Sequence, residues 1–176
     1  MSDIKLANLL GALALALDDR MWQAVATASG LQKSAAAALV LLGQTPGLSI
    51  DALAQTLGLA HSSTVRLVEQ LVARKEIARS PGADRRQVLL QLTPRGQISV
   101  NTILEARQQT LDALLAEMPP DAAEGLNRSC TALLTALSTD TTTASRICRL
   151  CDEAACGLAD CPVERAYIAH VAAASR

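Results

Sequence analysis

Apolar residues recur at helical spacing along most of this chain, and one stretch breaks the rule. Between Ile77 and Leu92 the run "IARSPGADRRQVLLQL" alternates through Ile77 and Arg79, turns at Pro81-Gly82, and resumes at Val88, Leu90 and Leu92. That pattern predicts a β-hairpin with polar residues at its tip. Composition explains why the remainder reads as helix. Half of the 176 residues are apolar, yet there is no Phe, one Trp and one Tyr. The core must be Leu, Ala and Val, a palette that favours helices, and the length supports one domain with a real core.

The periodicity places the elements in order. Residues 4–29 read as one long helix that Gly30 stops. Ser34 is expected to cap a second helix, "SAAAALVLLGQ", ending at Thr45–Gly47. Ser49 caps a short third helix, with Asp51 in its first turn where the dipole favours an anion, and Gly58 ends it left-handed. A fourth helix, "AHSSTVRLVEQLVARKE", sets Leu67, Val68 and Leu71 on one face and Ser62, Ser63, Arg66 and Gln70 on another. After the hairpin, Thr93 caps and Pro94 opens a helix to about Glu117. Pro119-Pro120 break the chain, Asp121 is expected to cap a helix to about Leu137, and "STDTTTAS" (Ser138–Ser145) reads as a polar joint.

The apolar run Leu9–Leu17 is too short for a bilayer, which takes about 20 residues. Asp3 spoils a signal peptide's positive start, and the apolar pattern continues through Met21, Trp22 and Val25. The expectation is a buried helix of a dimer core, with no membrane partner, in a cytoplasmic protein whose thiols stay reduced.

Short helix, tight turn, helix with a polar face, then hairpin is the order of a winged helix-turn-helix. The chain resembles the MarR family of bacterial transcription regulators in "LAQTLGLAHSSTVRLVEQLVARK", in the wing "DRR" (Asp84–Arg86) and in "LTPRG" (Leu92–Gly96). The resemblance covers about residues 4–138. It implies a mainly α fold: a winged helix-turn-helix with a two-stranded wing, and an N- and C-terminal helical dimerisation domain. The DNA-binding region would span 34–97, the dimerisation region 1–33 and 98–147, and a tail 148–176. One departure stands out. The family usually carries Gly after the recognition helix, where φ is positive, and this chain has Lys75 in "RKEIAR". Either a lysine there is strained, or the turn near residue 76 differs from the family's.

The charge distribution supports the resemblance independently. Between Ser49 and Gln97 lie seven basic residues (Arg66, Arg74, Lys75, Arg79, Arg85, Arg86, Arg95) and four acidic ones, a segment of +3 in a chain of −1. Ser62, Ser63, Arg66 and Gln70 are the candidates for the major groove, where Ser and Gln reach base edges or phosphates and Arg66 takes guanine or a phosphate. Arg85 or Arg86 would enter a narrow A·T-rich minor groove, with Asp84 pairing a neighbouring Arg to hold the wing tip. His61 is at most a phosphate contact, and His170 has no assigned role. Asp18-Asp19 read as solvated surface, Trp22 as core, and Cys130 as a small core residue. No residue set suggests an enzyme, and no catalytic residue is assigned.

Four further cysteines crowd "CRLCDEAACGLADCP": Cys148, Cys151, Cys156 and Cys161, spaced C-x2-C-x4-C-x4-C-P. In a reducing compartment such a cluster suggests metal or redox chemistry rather than a disulfide framework. Isolated buried cysteines do not cluster so, and four thiolates can surround one metal centre. The spacing equals that of a zinc knuckle with Cys for His. However, "DEAA" stands where the knuckle has glycines, and Cys followed by Pro resembles ferredoxin-type ligation. Superoxide-sensing MerR-family regulators offer an architectural parallel, a four-Cys 2Fe–2S site after the dimer helix. An iron–sulfur cluster, with 2Fe–2S favoured, and Zn2+ both stay open, as does metal-free thiol switching. The segment is expected to need its centre to fold, having no core of its own.

Together these readings predict a homodimer that binds double-stranded operator DNA as a repressor, with C-terminal cysteines holding a metal centre that senses redox state or stabilises the dimer, and with a small-molecule or redox effector as a candidate partner. One alternative is a ligand-responsive repressor with structural zinc only. Another, from a different class, is a helical metal- or cluster-binding protein with no DNA role.

Overall fold

Asp3 starts the first helix. Its carboxylate accepts from the amides of Lys5 and Leu6 and caps α1 (Ile4–Ser29), which Gly30 ends at φ 66°. The computed structural model describes residues 3–82, 88–157 and 159–174. α2 (Lys33–Gln44) begins one residue before Ser34, because Gln32 already takes the extended cap conformation; Ser34 lies inside the helix and caps nothing. α2 is the central helix, with Ala35 to Leu42 all buried.

Ser49 Oγ accepts from Ala52 N and caps α3 (Ile50–Leu57), and Gly58 at φ 66° turns the chain into α4 (His61–Ala73). The hairpin forms as β2 (Ile77–Pro81) and β3 (Val88–Leu92), antiparallel, with Ile77 opposite Leu92 and Arg79 opposite Leu90. A third strand that the pattern did not reveal, β1 (Leu48–Ser49), pairs with the other edge of β3, giving the order β1-β3-β2. Two residues are too few to show alternation, and their pairing is set by β3 rather than by their own sequence. Thr93 caps α5 (Pro94–Leu115) with Pro94 at the first helical position.

Beyond α5 the structure differs from the sequence reading in several places. α6 (Pro120–Leu137) starts with Pro119 in the cap position, so Asp121 sits in the first turn, where the dipole still favours it, and does not cap. The predicted polar joint is a helix, α7 (Thr141–Cys148), because Asp140 Oδ1 accepts from Thr143 N and nucleates it. Two more helices follow, α8 (Glu153–Cys156) and α9 (Pro162–Ala174). Cys130 is exposed on α6 rather than buried, since that helix buries no side chain in the single chain.

The main core is aliphatic, as an almost ring-free composition requires. Leu39, Leu42, Leu53, Leu71, Leu90 and Ile103 are fully buried, and they come from α2, α3, α4, β3 and α5. Leu150, from the cysteine segment, joins the same core. A second cluster unites Ala144, Cys161 and Val163 with Leu134, Ile147 and Tyr167, so the segment has a core of its own, contrary to expectation. α9 packs on α6 and α7, and α7 packs on α3.

α1 packs on α5, while its first half projects into solvent, every described residue from 3 to 16 being exposed. Leu6, Leu9, Leu10 and Leu13 are all exposed there, Leu9 at 58% and Leu13 at 47%. No single helix among the described residues is long and apolar enough to cross a membrane; α1 and α2 meet that composition only jointly, bent by 81°.

Candidate functional site

α4 owes its orientation to the face it buries. Thr64, Leu67, Val68 and Leu71 point into the core, and the Thr64 hydroxyl donates to the carbonyl of Ala60 at 3.2 Å, so the hydroxyl is satisfied inside. The opposite side carries Ser62, Ser63, Arg66 and Gln70, all exposed. Their side chains make no hydrogen bond or ion pair with other described residues. A row of two hydroxyls, a guanidinium and an amide is the donor set that reads phosphates and base edges. His61 is not idle: its Nδ1 lies 2.8 Å from Asp51 Oδ1, tying the start of α4 to the first turn of α3. Asp84, Arg85 and Arg86 lie outside the described residues.

The turn after α4 is as strained as the sequence implied. Lys75 adopts φ 59°, the one non-glycine residue with positive φ among the described residues. Next to it Glu76 is 1% exposed, its Oε1 accepting from Arg74 Nε at 3.3 Å and Ser99 Oγ at 3.2 Å. This pair anchors the base of the hairpin to α5.

Asp18, read as solvated surface, has two partners instead. Trp22 Nε1 donates to its Oδ1 at 2.9 Å and Lys33 Nζ to its Oδ2 at 2.6 Å, while Lys33 also stands 5.0 Å from the centre of the Trp22 ring. The Lys33 hydrogen bond, then that of Trp22, holds the Asp18 carboxyl below the ordinary carboxylate range against partial burial. Helical spacing i, i+4 makes the Trp22 contact legible in hindsight; the Lys33 contact needed the fold.

The structure brings Cys148, Cys151, Cys156 and Cys161 to one open cavity of about 340 Å³, which Arg107 from α5 and Tyr167 from α9 also line. Cys161 is buried, Cys148 and Cys151 half-buried, and Cys156 exposed. Interaction with Cys151, then burial and the neighbouring thiols, pushes the Cys148 thiol strongly upward. The same interaction lowers Cys151 to about 6 against burial, with help from the charges of Arg107 and Arg149. Burial and the proximity of Cys161 raise Cys156. Burial, then the charge of Glu164, raises Glu153 at the rim.

The donor chemistry therefore fits a soft, thiophilic metal centre: four sulfurs, one already disposed to be thiolate, in one partly buried cavity. Among the described residues, however, no three His, Cys, Asp or Glu side chains converge as a metal's ligand set would. Sequence spacing found the four cysteines. It gave no sign of Arg107, 41 positions before Cys148, or of Gln44, whose amide holds the cysteine segment's backbone. Such contacts join residues far apart in the chain and leave no local pattern.

Comparison with known proteins agrees with the winged-helix geometry. Residues 29–87 match the sequence model of the MarR family. The fold is shared with RV1404 from Mycobacterium tuberculosis, at 26% identity and a TM-score of 0.68 over 76% of this chain and 93% of that one. A MarR family protein from Bacillus stearothermophilus is similar at 24% identity and a TM-score of 0.65, over 73% and 90% of the two chains. A variant of MepR from Staphylococcus aureus, bound to an oligodeoxyribonucleotide, superposes at 18% identity and a TM-score of 0.57, over 77% and 99%. No curated protein sequence matches this chain. The fold is thus a MarR-like winged helix, and that family consists of transcription regulators, not enzymes.

Proposed function

We propose that this protein is a cytoplasmic MarR-family repressor that binds operator DNA as a homodimer and carries one metal centre per chain on its C-terminal cysteines. The observation that carries the DNA reading is the exposed face of α4. Ser62, Ser63, Arg66 and Gln70 stand there together without intramolecular partners, on a fold also found in an oligonucleotide-bound protein. In this reading α4 enters the major groove, Arg85 and Arg86 of the wing supply minor-groove charge, and Asp84 steadies one of them. The exposed leucines of α1 seat a second copy, which places two recognition helices on one face of the duplex.

Cys148, Cys151, Cys156 and Cys161 would hold the centre, an iron–sulfur cluster or Zn2+, because an all-thiolate set suits both. An iron–sulfur cluster would supply a redox-sensitive state, whereas zinc would supply structure alone. The chain's own contribution is the cavity: Arg107 offsets thiolate charge, and Tyr167 and Ile147 keep one side apolar.

A gel shift over genomic fragments with anaerobically purified protein, alongside its visible spectrum and elemental content, tests both halves. Retarded fragments and one brown or colourless centre per chain are expected. No retarded fragment at any salt concentration overturns the DNA half, and a chain lacking iron and zinc overturns the metal half.

A further inference from the structure

The cysteine segment is fastened to the helix-turn-helix. Gln44, the last residue of α2, donates from Nε2 to the carbonyl oxygens of both Cys148 (3.2 Å) and Cys151 (2.8 Å). Between them Leu150, 7% exposed, is buried in the main core. Just before them, Arg146 donates from Nη2 to the carbonyl of Gln55 (3.0 Å) and from Nε to that of Thr56 (3.3 Å), at the C-terminal end of α3. A guanidinium there satisfies carbonyls that a helix end leaves open. Gly58 leaves space for it: a Cβ at that position would lie 3.2 Å from Arg146 Nη2.

These contacts place one short stretch, residues 146–151, in simultaneous register with α2, α3 and two candidate metal ligands. A centre that draws the sulfurs of Cys148 and Cys151 to common bonds must reset the backbone of the same residues whose carbonyls Gln44 holds. Neither carbonyl can turn without straining a bond from that one amide nitrogen. The displacement then reaches Arg146, and through it the end of α3, the helix against which α4 packs. Packed elements move in discrete steps rather than by gradual deformation.

We infer that Gln44 is a positioning residue for the thiol site and that Gln44 and Arg146 together transmit the filling of that site to the setting of α3 against the DNA-reading helix. The inference rests on the reading of the four cysteines as one metal site. Arg107 lines the same cavity but makes no hydrogen bond to the described residues of 146–151, so it has no part in this route.

Zn2+ alone is the probe. Full-length protein is stripped of metal under anaerobic conditions and reloaded, in the parent and in Gln44→Met, which keeps the side chain's bulk without its donor, and in exposed Arg146→Met. Zinc per chain, hydrogen exchange of the amides of α3, and affinity for a duplex selected from a random pool are measured with and without metal. In the parent, zinc should change α3 exchange and shift DNA affinity by about fivefold or more. Both variants should retain one zinc per chain while the shift falls below about twofold. If Gln44→Met alone loses zinc, Arg146→Met decides: a shift below about twofold there sustains the route, and a parent-like shift overturns it. A parent that binds zinc with α3 and DNA affinity unchanged, or two variants that respond like the parent, overturns the inference while the metal site stands. A parent that binds no zinc overturns the metal site and the inference with it. If no duplex is selected, the DNA reading fails, and α3 exchange alone decides.

Discussion

Thr93 Oγ1 donates to the carbonyl oxygen of Lys75 at 2.6 Å, across the base of the hairpin. The same hydroxyl reaches Glu76 O at 3.1 Å and accepts from Gly96 N at 3.1 Å, while Thr93 N donates to Glu76 O at 3.0 Å. One threonine thus caps α5 and holds the peptide that follows the left-handed Lys75.

Lys75→Gly should stabilise the protein. A left-handed non-glycine residue costs roughly 1–2 kcal/mol, and the added freedom of an unfolded glycine returns about 0.4–1 kcal/mol of that. A net gain of about 0.5–1 kcal/mol is expected in urea denaturation. Gly96→Ala should do the reverse by about 2 kcal/mol or more, because a Cβ there would meet Glu76 O at 2.0 Å, and backbone cannot yield cheaply.

Arg66→Ala should weaken DNA binding without altering thermal stability, since Arg66 is exposed and has no hydrogen bond or ion pair with other described residues. If Arg66 holds a phosphate, the salt slope falls by about 1 and the loss is uniform across sequences; if it holds a guanine, about 1–3 kcal/mol of discrimination disappears at one position. Arg86→Ala should also lower affinity, most of all on A·T-rich flanks. Fluorescence anisotropy at several salt concentrations separates these effects.

Leu9→Asp with Leu13→Asp should convert a dimer to monomer. The two side chains lie on the projecting half of α1, and an obligate interface of at least about 2,000 Å² would bury them. Sedimentation equilibrium at micromolar concentration checks this; a parent that sediments as a monomer removes the dimer reading.

Asp18 gives a pH dependence with a definite sign. Its folded value is depressed, chiefly by Lys33, so its contribution is present above the unfolded carboxylate value near 3.9 and is lost as pH falls through the folded value below that. The pair is about half exposed, so the contribution is at most about 1 kcal/mol. Trp22 is the chain's one tryptophan, and its emission should hold steady from pH 7 to about 4.5, then change as Asp18 protonates. Asp18→Asn should flatten that step.

Most of the helical frame, the hairpin and the helix-turn-helix were legible in the residues alone, because these rest on local physics. Gly30, Gly58, Ser49 and Thr93 each cap a helix through bonds within four residues, and the buried face of α4 follows from the spacing of Leu67, Val68 and Leu71. The family resemblance, rather than any local pattern, marked Lys75 as standing where glycine is usual, and its φ is 59°. The remaining features depend on residues brought together across the chain. Two-residue β1 exists because β3 offers an open edge. The polar run near residue 141 becomes α7, whose Arg146 finds the end of α3 some 90 positions away. The four cysteines were legible as a spacing, but their shared cavity, the split between Cys148 and Cys151, and the grip of Gln44 arise from packing. Caps and periodicity write themselves into neighbouring residues, whereas a hydrogen bond between residues 44 and 151 leaves no trace in either neighbourhood.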